Sequence, residues 1–293
     1  MDRVFELEEF PRTAQKIDAL HARESGGGPA STAAVAIAQL GGHASFVGHL
    51  GNDSTGQALL KKLADKNIDI DHVISVDGFK TIAPIVLVDR NGERCIIVHR
   101  QKAVIDEDAI KFDFSEVGLL LTDTRWIEGA QRAVHHAVQK NIPILIDADG
   151  GKKQEILTLV RSAQHVIFSD QGLYDCTSDG SLESRLNEIA KICSGIIAVT
   201  HGATGSSWLM NGIITPVPAF NVVAKDTTGC GDVFHGAYAL AIIEGLSPLV
   251  AARFASAAAA LKAKNGNGWD GMPNRQDVEG LLASSLSMTS TIS

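Results

Sequence analysis

The sequence predicts an α/β fold, a mostly parallel sheet flanked by helices with a small β-sheet lid. Three features carry that expectation. From Gly27 onward, short apolar β-branched runs alternate with helix-length periodic segments. Val4 to Phe10 and Ile82 to His99 break the alternation, reading as extended strands with no helix between them. Near the C-terminus a polar, glycine-rich turn, Asp226 to Asp232, runs straight into a helix.

The elements follow in order. The Val4 to Phe10 strand opens the lid. A helix over Pro29 to Leu40 has proline in its first turn and stops at Gly41. Ser45 to Gly48 is a strand, and a helix from Ser54 to about Lys66 takes Asp53 or Ser54 as its cap. Ile82 to His99 returns to the lid. Val117 to Thr122, Pro143 to Asp147, His165 to Ser169 and Ile196 to Thr200 are the remaining body strands. In the helix after the glycine turn, Val233, Ala237, Leu240 and Ala241 form a buried stripe. The tail after Ser284 is expected to fray. The body is assigned to residues 25–78 and 101–293, and the lid to 3–24 and 79–100. There is no internal repeat, low-complexity linker or charge block to mark an independent second domain.

Composition narrows the function classes. With 45% hydrophobic and 20% charged residues over 293 positions, the chain builds a sizeable core, either one large domain with an appendage or two modest ones at ~150 residues each. A formal charge of −8 argues against nucleic acid or an anionic membrane as the main partner, because both require phosphate neutralisation. Cys95, Cys176, Cys193 and Cys230 never form a CxxC pair, so they read as reduced thiols. The acidic start, MDRVFELEEF, lacks the apolar run of a signal peptide, and no segment has the ~20 apolar residues of a membrane span. The expected location is the cytoplasm.

The chemistry concentrates in DTTGCGDVFHGAYALAIIEG, Asp226 to Gly245. Gly229 and Gly231 admit a ligand to the main chain, and the N–H groups of Gly229, Cys230 and Gly231, at a helix start, point at an anion. That pattern fits a phosphate. An aspartate is a poor binder of phosphate, so Asp232 suits a different task, taking the proton of an attacking hydroxyl. The alternative is that Asp232 only caps the helix and the glycines only make a turn.

These residues resemble the C-terminal signature of the ribokinase-like (PfkB) carbohydrate kinases. The N-terminal half agrees: GGGPASTAAVAIAQLGGHASFVGHLGNDSTG, Gly26 to Gly56, is similar to the family's paired-glycine motif, small-residue helix and GxDxxG segment, here Gly51-Asn52-Asp53-Ser54-Thr55-Gly56. The resemblance covers nearly the whole chain. It implies an ATP-dependent sugar kinase with Asp232 as base and Gly229, Cys230 and Gly231 as anion hole. It further implies that Asp226 and Thr228 match positions that help bind a monovalent cation, such as K⁺, in some members. VTHGATG, Val199 to Gly205, resembles the turn along the nucleotide, placing Thr200, Gly202 and Gly205 near ATP. On the sugar side Asp2 matches an aspartate that holds substrate hydroxyls, and Gly27, Gly28 and Thr32 match the paired glycines and the polar residue after them. Thr32 replaces the commoner asparagine. Where the family carries NxxE for magnesium, this chain has Ser169-Asp170-Gln171-Gly172, leaving Asp170 to hold Mg²⁺ through water. Family members have a central strand ahead of the early aspartate; here Asp2 follows Met1, so that strand is expected to be missing from the sheet.

The blocks ESGGGPASTAAVAIAQLG, DTRWIEGA and DTTGCGDVFHGA most resemble the sulfofructose kinase subgroup. There an arginine matching Arg125 meets the sulfonate of the sugar, and a guanidinium suits that oxyanion because it offers paired donors. The generic reading makes Arg125 a surface residue at a helix start. Val98 falls where the subgroup has asparagine, with His99, Arg100 and Lys102 nearby to replace it or to form a solvated loop. The expected substrate is 6-deoxy-6-sulfofructose, giving a 1-phosphate. Fructokinase and 2-keto-3-deoxygluconate kinase are the alternatives, and a catalytically silent sugar-binding homologue is the reading from a different class. A dinucleotide-binding dehydrogenase is excluded, since no GxGxxG follows a first strand with an acidic residue after the second. By family analogy the lid pairs two chains into a homodimer.

Overall fold

The computed structural model describes residues 1–90, 93–106 and 110–289. In chain order it runs β1 (Asp2–Glu6), β2 (His21–Ser25), α1 (Pro29–Gln39), β3 (Gly48–Gly51), α2 (Ser54–Ala64) and β4 (Val73–Val76). Next come β5 (Ile85–Val88), β6 (Arg94–Ile97), β7 (Leu120–Thr122), α3 (Ile127–Lys140), β8 (Ile144–Ala148), α4 (Lys153–Val160) and β9 (His165–Ser169). The chain ends through α5 (Asp170–Cys176), α6 (Leu182–Ala190), β10 (Ile196–Thr200), β11 (Ser206–Met210), β12 (Ile213–Val217), α7 (Cys230–Ile243), α8 (Pro248–Asn265) and α9 (Arg275–Thr289).

The main sheet has six strands in the order β12-β11-β10-β9-β8-β7. Strands β7 to β10 are parallel, while β11 and β12 turn back antiparallel at the far edge. All five residues of β8 are buried, as expected of a strand covered on both faces. Because β7, β8, β9 and β10 run the same way, Asp123, Asp149, Asp170 and Thr200 stand along one edge, where open α/β sheets bind ligands. The parallel pair β3–β4 is a sheet of its own. Among the described residues no strand joins it to β7, and residues of β3 and β7 line one cleft of about 2080 Å³.

A second sheet, ordered β2-β1-β5-β6, forms the separate small layer. One of its faces packs through Val4, Val86 and Val88. Its strands are shorter than the sequence suggests, since β5 ends at Val88 and β6 starts at Arg94, with Asp89 N donating to Glu93 O at 3.0 Å across the turn.

Helix α7 differs from its expected form. In place of one stripe, every residue from Val233 to Ala241 is buried, because α1 and α8 pack against it. Alanines on all three helices, with Gly236 of α7 against Ala33 of α1, make that approach possible. Two further corrections and one choice between alternatives follow from packing. The strand expected at Ser45 to Gly48 forms at Gly48–Gly51 instead, with Ser45 reduced to a single bridge to Asp69. The Asp53 side chain, rather than Ser54, caps α2, accepting from Gly56 N at 2.8 Å. The tail expected to fray after Ser284 continues as α9 to Thr289; its last four residues, 290–293, lie outside the described residues, as do 91–92 of the lid range and 107–109 of the body range. Among the described residues no helix is long and apolar enough to cross a membrane.

Candidate active site

The turn before α7 is held open at its helical end. Gly229, the residue before the helix, has φ 76° and ψ 6°, a left-handed conformation that favours glycine, and no side chain caps the helix. The first N–H groups of α7 therefore keep the partial positive character of an uncapped start. A Cβ placed on Gly231 would meet nothing within 4 Å, so the space before these groups is open. Asp226 shapes the turn by accepting from Thr228 N at 2.8 Å. Arg94 of β6 donates to the Thr227 hydroxyl at 3.0 Å, laying the small sheet over the turn.

Asp232 sits in the first turn of α7 and lines a small cavity with Asp2, Gly27, Gly28, Thr32 and Gly229. Its carboxyl is pushed up to about 7, first by burial and then by the carboxylate of Asp147, with Asp123 and Asp149 adding to the rise and His235 opposing it. Behind it His235 Nδ1 faces Gly231 O at 2.7 Å and Asp147 Oδ2 at 3.4 Å. Burial drives this pair toward neutrality, raising the Asp147 carboxyl well above its ordinary value and lowering the imidazole.

The sugar-side candidates gather opposite. A Cβ on Gly27 would lie 2.3 Å from the Asp2 carboxylate oxygens, so the glycine lets that main chain press onto Asp2. Burial raises the Asp2 carboxyl, helped by Asp226, while the Met1 amino group and Arg23 pull it down. Gly28 precedes α1 with φ 100°, and the N-terminus of α1 is capped from outside: Asp123 Oδ2 accepts from Ala30 N at 3.1 Å. Thr32 is buried, its hydroxyl accepting from Trp269 Nε1 at 3.0 Å.

Arg125 lies on the large cleft that also holds Asp2 and Gly27. Its guanidinium pairs with Asp149, and its backbone N donates to Asp123 Oδ1 at 2.7 Å. Arg100 and Val98 line the same cleft, and Lys102, also there, is 2.7 Å from Glu128. His99 is exposed and does not line it.

Along the sheet edge, Thr200 ends β10 and its hydroxyl donates to Phe168 O at 3.3 Å. Gly202 to Gly205 form a tight turn closed by His201 N donating to Gly205 O at 2.7 Å. His201 Nδ1 lies 2.6 Å from Asp170 Oδ1, so this turn and Asp170 form one unit. Neither cavity that contains Asp2 is lined by residues of this turn.

The two metal expectations fare differently. Asp170 leaves a carboxylate at the mouth of the sheet edge, partly exposed, with one oxygen facing His201; that suits magnesium held through water. Asp226 does not suit a monovalent cation. One oxygen accepts from Thr228 N and the other lies 3.1 Å from Arg23 Nη2, and Lys262 lines the same small cavity. Burial alone would raise the Asp226 carboxyl, but the Thr228 donors and the charges of Lys262 and Arg23 outweigh it and leave it below its ordinary value. A further cation would be repelled by each fixed charge by about 3 kcal/mol at ~5 Å and an effective dielectric of ~20.

Several site residues escape the sequence reasoning. Arg23 comes from an exposed strand with nothing to set it apart. Lys262 had a signal: in α8 it occupies the stripe of Ala251, Ala255 and Ala258, where a charge is out of place. Asp147 and His235 meet only through the packing of α7 on β8.

Comparison with known proteins gives the family. The model of the pfkB family carbohydrate kinases covers residues 1–275. A ribokinase of Arabidopsis thaliana is 28% identical over 304 residues, 97% of this chain and 79% of that protein. Fructokinase-1 of Oryza sativa subsp. japonica is 28% identical over 88% of each chain. A crystal structure from Agrobacterium tumefaciens, proposed to be a ribokinase, superimposes with a TM-score of 0.89 at 29% identity, covering 98% of this chain and 95% of that one. The fold is thus ribokinase-like, and this chain belongs to the pfkB family of carbohydrate kinases, phosphotransferases with an alcohol group as acceptor.

Proposed function

We propose that the chain transfers the γ-phosphoryl group of ATP to a hydroxyl of a ketose, with Asp232 as the base. The observation that carries this reading is the shared cavity of Asp232, Asp2 and Gly27 beside the uncapped start of α7. Asp2, Gly27, Gly28 and Thr32 hold the sugar, and its hydroxyl gives a proton to Asp232. The freed oxygen attacks the γ-phosphorus as the bond to the ADP oxygen breaks. The N–H groups of Gly229, Cys230 and Gly231 receive the charge on the transferring group. Thr200, Gly202 and Gly205 lie along the nucleotide, and Asp170 would hold magnesium through water, which when bound would neutralise charge on the phosphate oxygens. Residues 25–78 and 101–293 act as the body, 3–24 and 79–100 as the lid, and the free thiols suit the cytoplasm.

For the sugar, Arg125 supports an anionic group, 6-deoxy-6-sulfofructose being the first choice, with a 1-phosphate as product. Within an acidic protein, a guanidinium on the cleft is a local landing point for an oxyanion. A second reading, a neutral ketose as in fructokinases or a carboxylated one such as 2-keto-3-deoxygluconate, draws support from the pairing of Arg125 with Asp149 and of Lys102 with Glu128. Those cations already have partners. ADP release measured over neutral, carboxylated and sulfonated sugars separates the readings. Arg125→Ala should lower kcat/KM for the sulfonated sugar by about ten- to a hundredfold, the equivalent of ~1.5–3 kcal/mol for a charge-assisted contact, and spare a neutral ketose. Equal loss on both, or a wild-type preference for a neutral sugar, removes the sulfosugar assignment.

A further inference from the structure

Lys262 is buried to 1% exposure, and its ammonium makes no hydrogen bond among the described residues. Such a group is costly in a protein interior unless an opposite charge holds it there. It lines the small cavity with Asp226, Thr228, Gly229 and Asp232, and its charge acts on Asp226 and on Cys230. Cys230 is not its partner: burial pushes that thiol up to about 11, so it stays neutral. The charge of Lys262 instead favours the ionised form of Asp226 across that cavity, and Arg23 contacts the same carboxylate from β2 at 3.1 Å. One carboxylate of the phosphate-facing turn thus has a guanidinium in contact and shares its cavity with an ammonium from α8.

The placement is built into both elements. Lys225 N donates to Ala263 O at 2.8 Å, tying the start of the turn to the last turns of α8. A Cβ on Gly266 would lie 3.4 Å from the Asp226 Cβ, so the helix end and the turn are in close contact.

We propose that Lys262 supplies, from within the chain, the positive charge that a bound monovalent cation would otherwise bring to the turn 226–231, so that the kinase needs no such ion. The ammonium favours ionised Asp226, and Asp226 in turn shapes the turn that presents the N–H groups of Gly229 to Gly231. Lys262 is a positioning residue, acting through the turn. This rests on the reading of that turn as the phosphoryl site, but the stability readout below stands without it.

The experiment compares melting temperature and sugar-dependent ADP release in Li⁺, Na⁺, K⁺ and tetramethylammonium at constant ionic strength. In the wild type both should be the same in every salt. Lys262→Met keeps the stem and removes the charge. In tetramethylammonium it should melt lower and turn over about ten- to a hundredfold more slowly, less than the ~10²–10³ of a lost direct donor. K⁺ should restore both. A variant that folds only with K⁺ supports the proposal equally. Lys262→Arg keeps the charge and should stay indifferent to the salt. The proposal is overturned if K⁺ specifically activates or stabilises the wild type, if Lys262→Arg becomes cation-dependent, or if no monovalent cation restores Lys262→Met. A melting response without any sugar phosphorylated would sustain the cation role and reject the kinase reading of the turn.

Discussion

Asp232 is suited to take a proton near neutrality because its surroundings oppose its charge. With its pKa pushed up to about 7 by burial and neighbouring carboxyls, both protonation states are accessible where the enzyme works. Only the deprotonated form can accept the hydroxyl proton, so kcat/KM should rise with pH in proportion to the ionised fraction and level off above about 7. Asp232→Asn should lower turnover by about two to four powers of ten and abolish that limb, with nucleotide binding retained. A pH–rate profile of the two proteins checks it; an unchanged limb in the variant would assign the titration to another group. At this scale the sequence could single out the turn and Asp232 because they are contiguous, and the structure brings Asp232 and Gly229 to one cavity. Arg23 meets Asp226 from 203 positions away and leaves no local trace, whereas Lys262, 36 positions away, shows only as a charge within an alanine stripe.

Among the elements, the segment Gly51 to Gly56 does more than start a helix. Asp53 accepts from Gly56 N at 2.8 Å and also from Thr81 N at 3.0 Å and the Thr81 hydroxyl at 2.8 Å. It therefore fastens α2 to the extended segment that leads into β5. The Gly56 donor, then Thr81, hold its carboxyl below the ordinary value despite some burial. A depressed folded pKa stabilises above the unfolded value of ~3.9, and the gain is lost as pH falls through the folded pKa. Asp53→Ala should therefore destabilise by about 1 kcal/mol or somewhat more at neutral pH, and the gap from wild type should narrow on acidification, as urea unfolding at several pH values would show. The sequence named this cap with Ser54 as rival, but not its second grip on Thr81. Periodicity placed β9 and β10 to the residue because polar residues bound both apolar runs, yet misread α7 as one-sided. A helix of alanine and glycine looks amphipathic until two neighbours are known to cover it.

For the whole molecule, the small sheet has one face inward and one without a described partner. Val86, Val88 and Ile96 alternate with Ile85, Leu87, Cys95 and Ile97, and the inward set meets Val4 and the cleft. On the other face Ile85 and Ile97 are directly paired across β5 and β6, at 39% and 56% exposure. β6 is also an edge strand, with backbone groups unpaired on one side. The expectation of a homodimer through the lid finds its physical support in that apolar edge. A stable interface buries about 1,200–2,000 Å², so the four residues of β6 alone are too few and the outward face of β5 must join them. If two lids close on one another, Ile97→Asp places a charge at the centre of the buried patch and should convert a dimer to monomer in sedimentation velocity, with helical circular dichroism unchanged. Turnover should fall as well, because Arg94, three residues earlier on the same strand, reaches the Thr227 hydroxyl of the phosphate-facing turn, and a loosened strand would release that contact. A wild type that sediments as a monomer at assay concentration would remove the dimer; a monomeric variant with full activity would keep the dimer but sever it from catalysis.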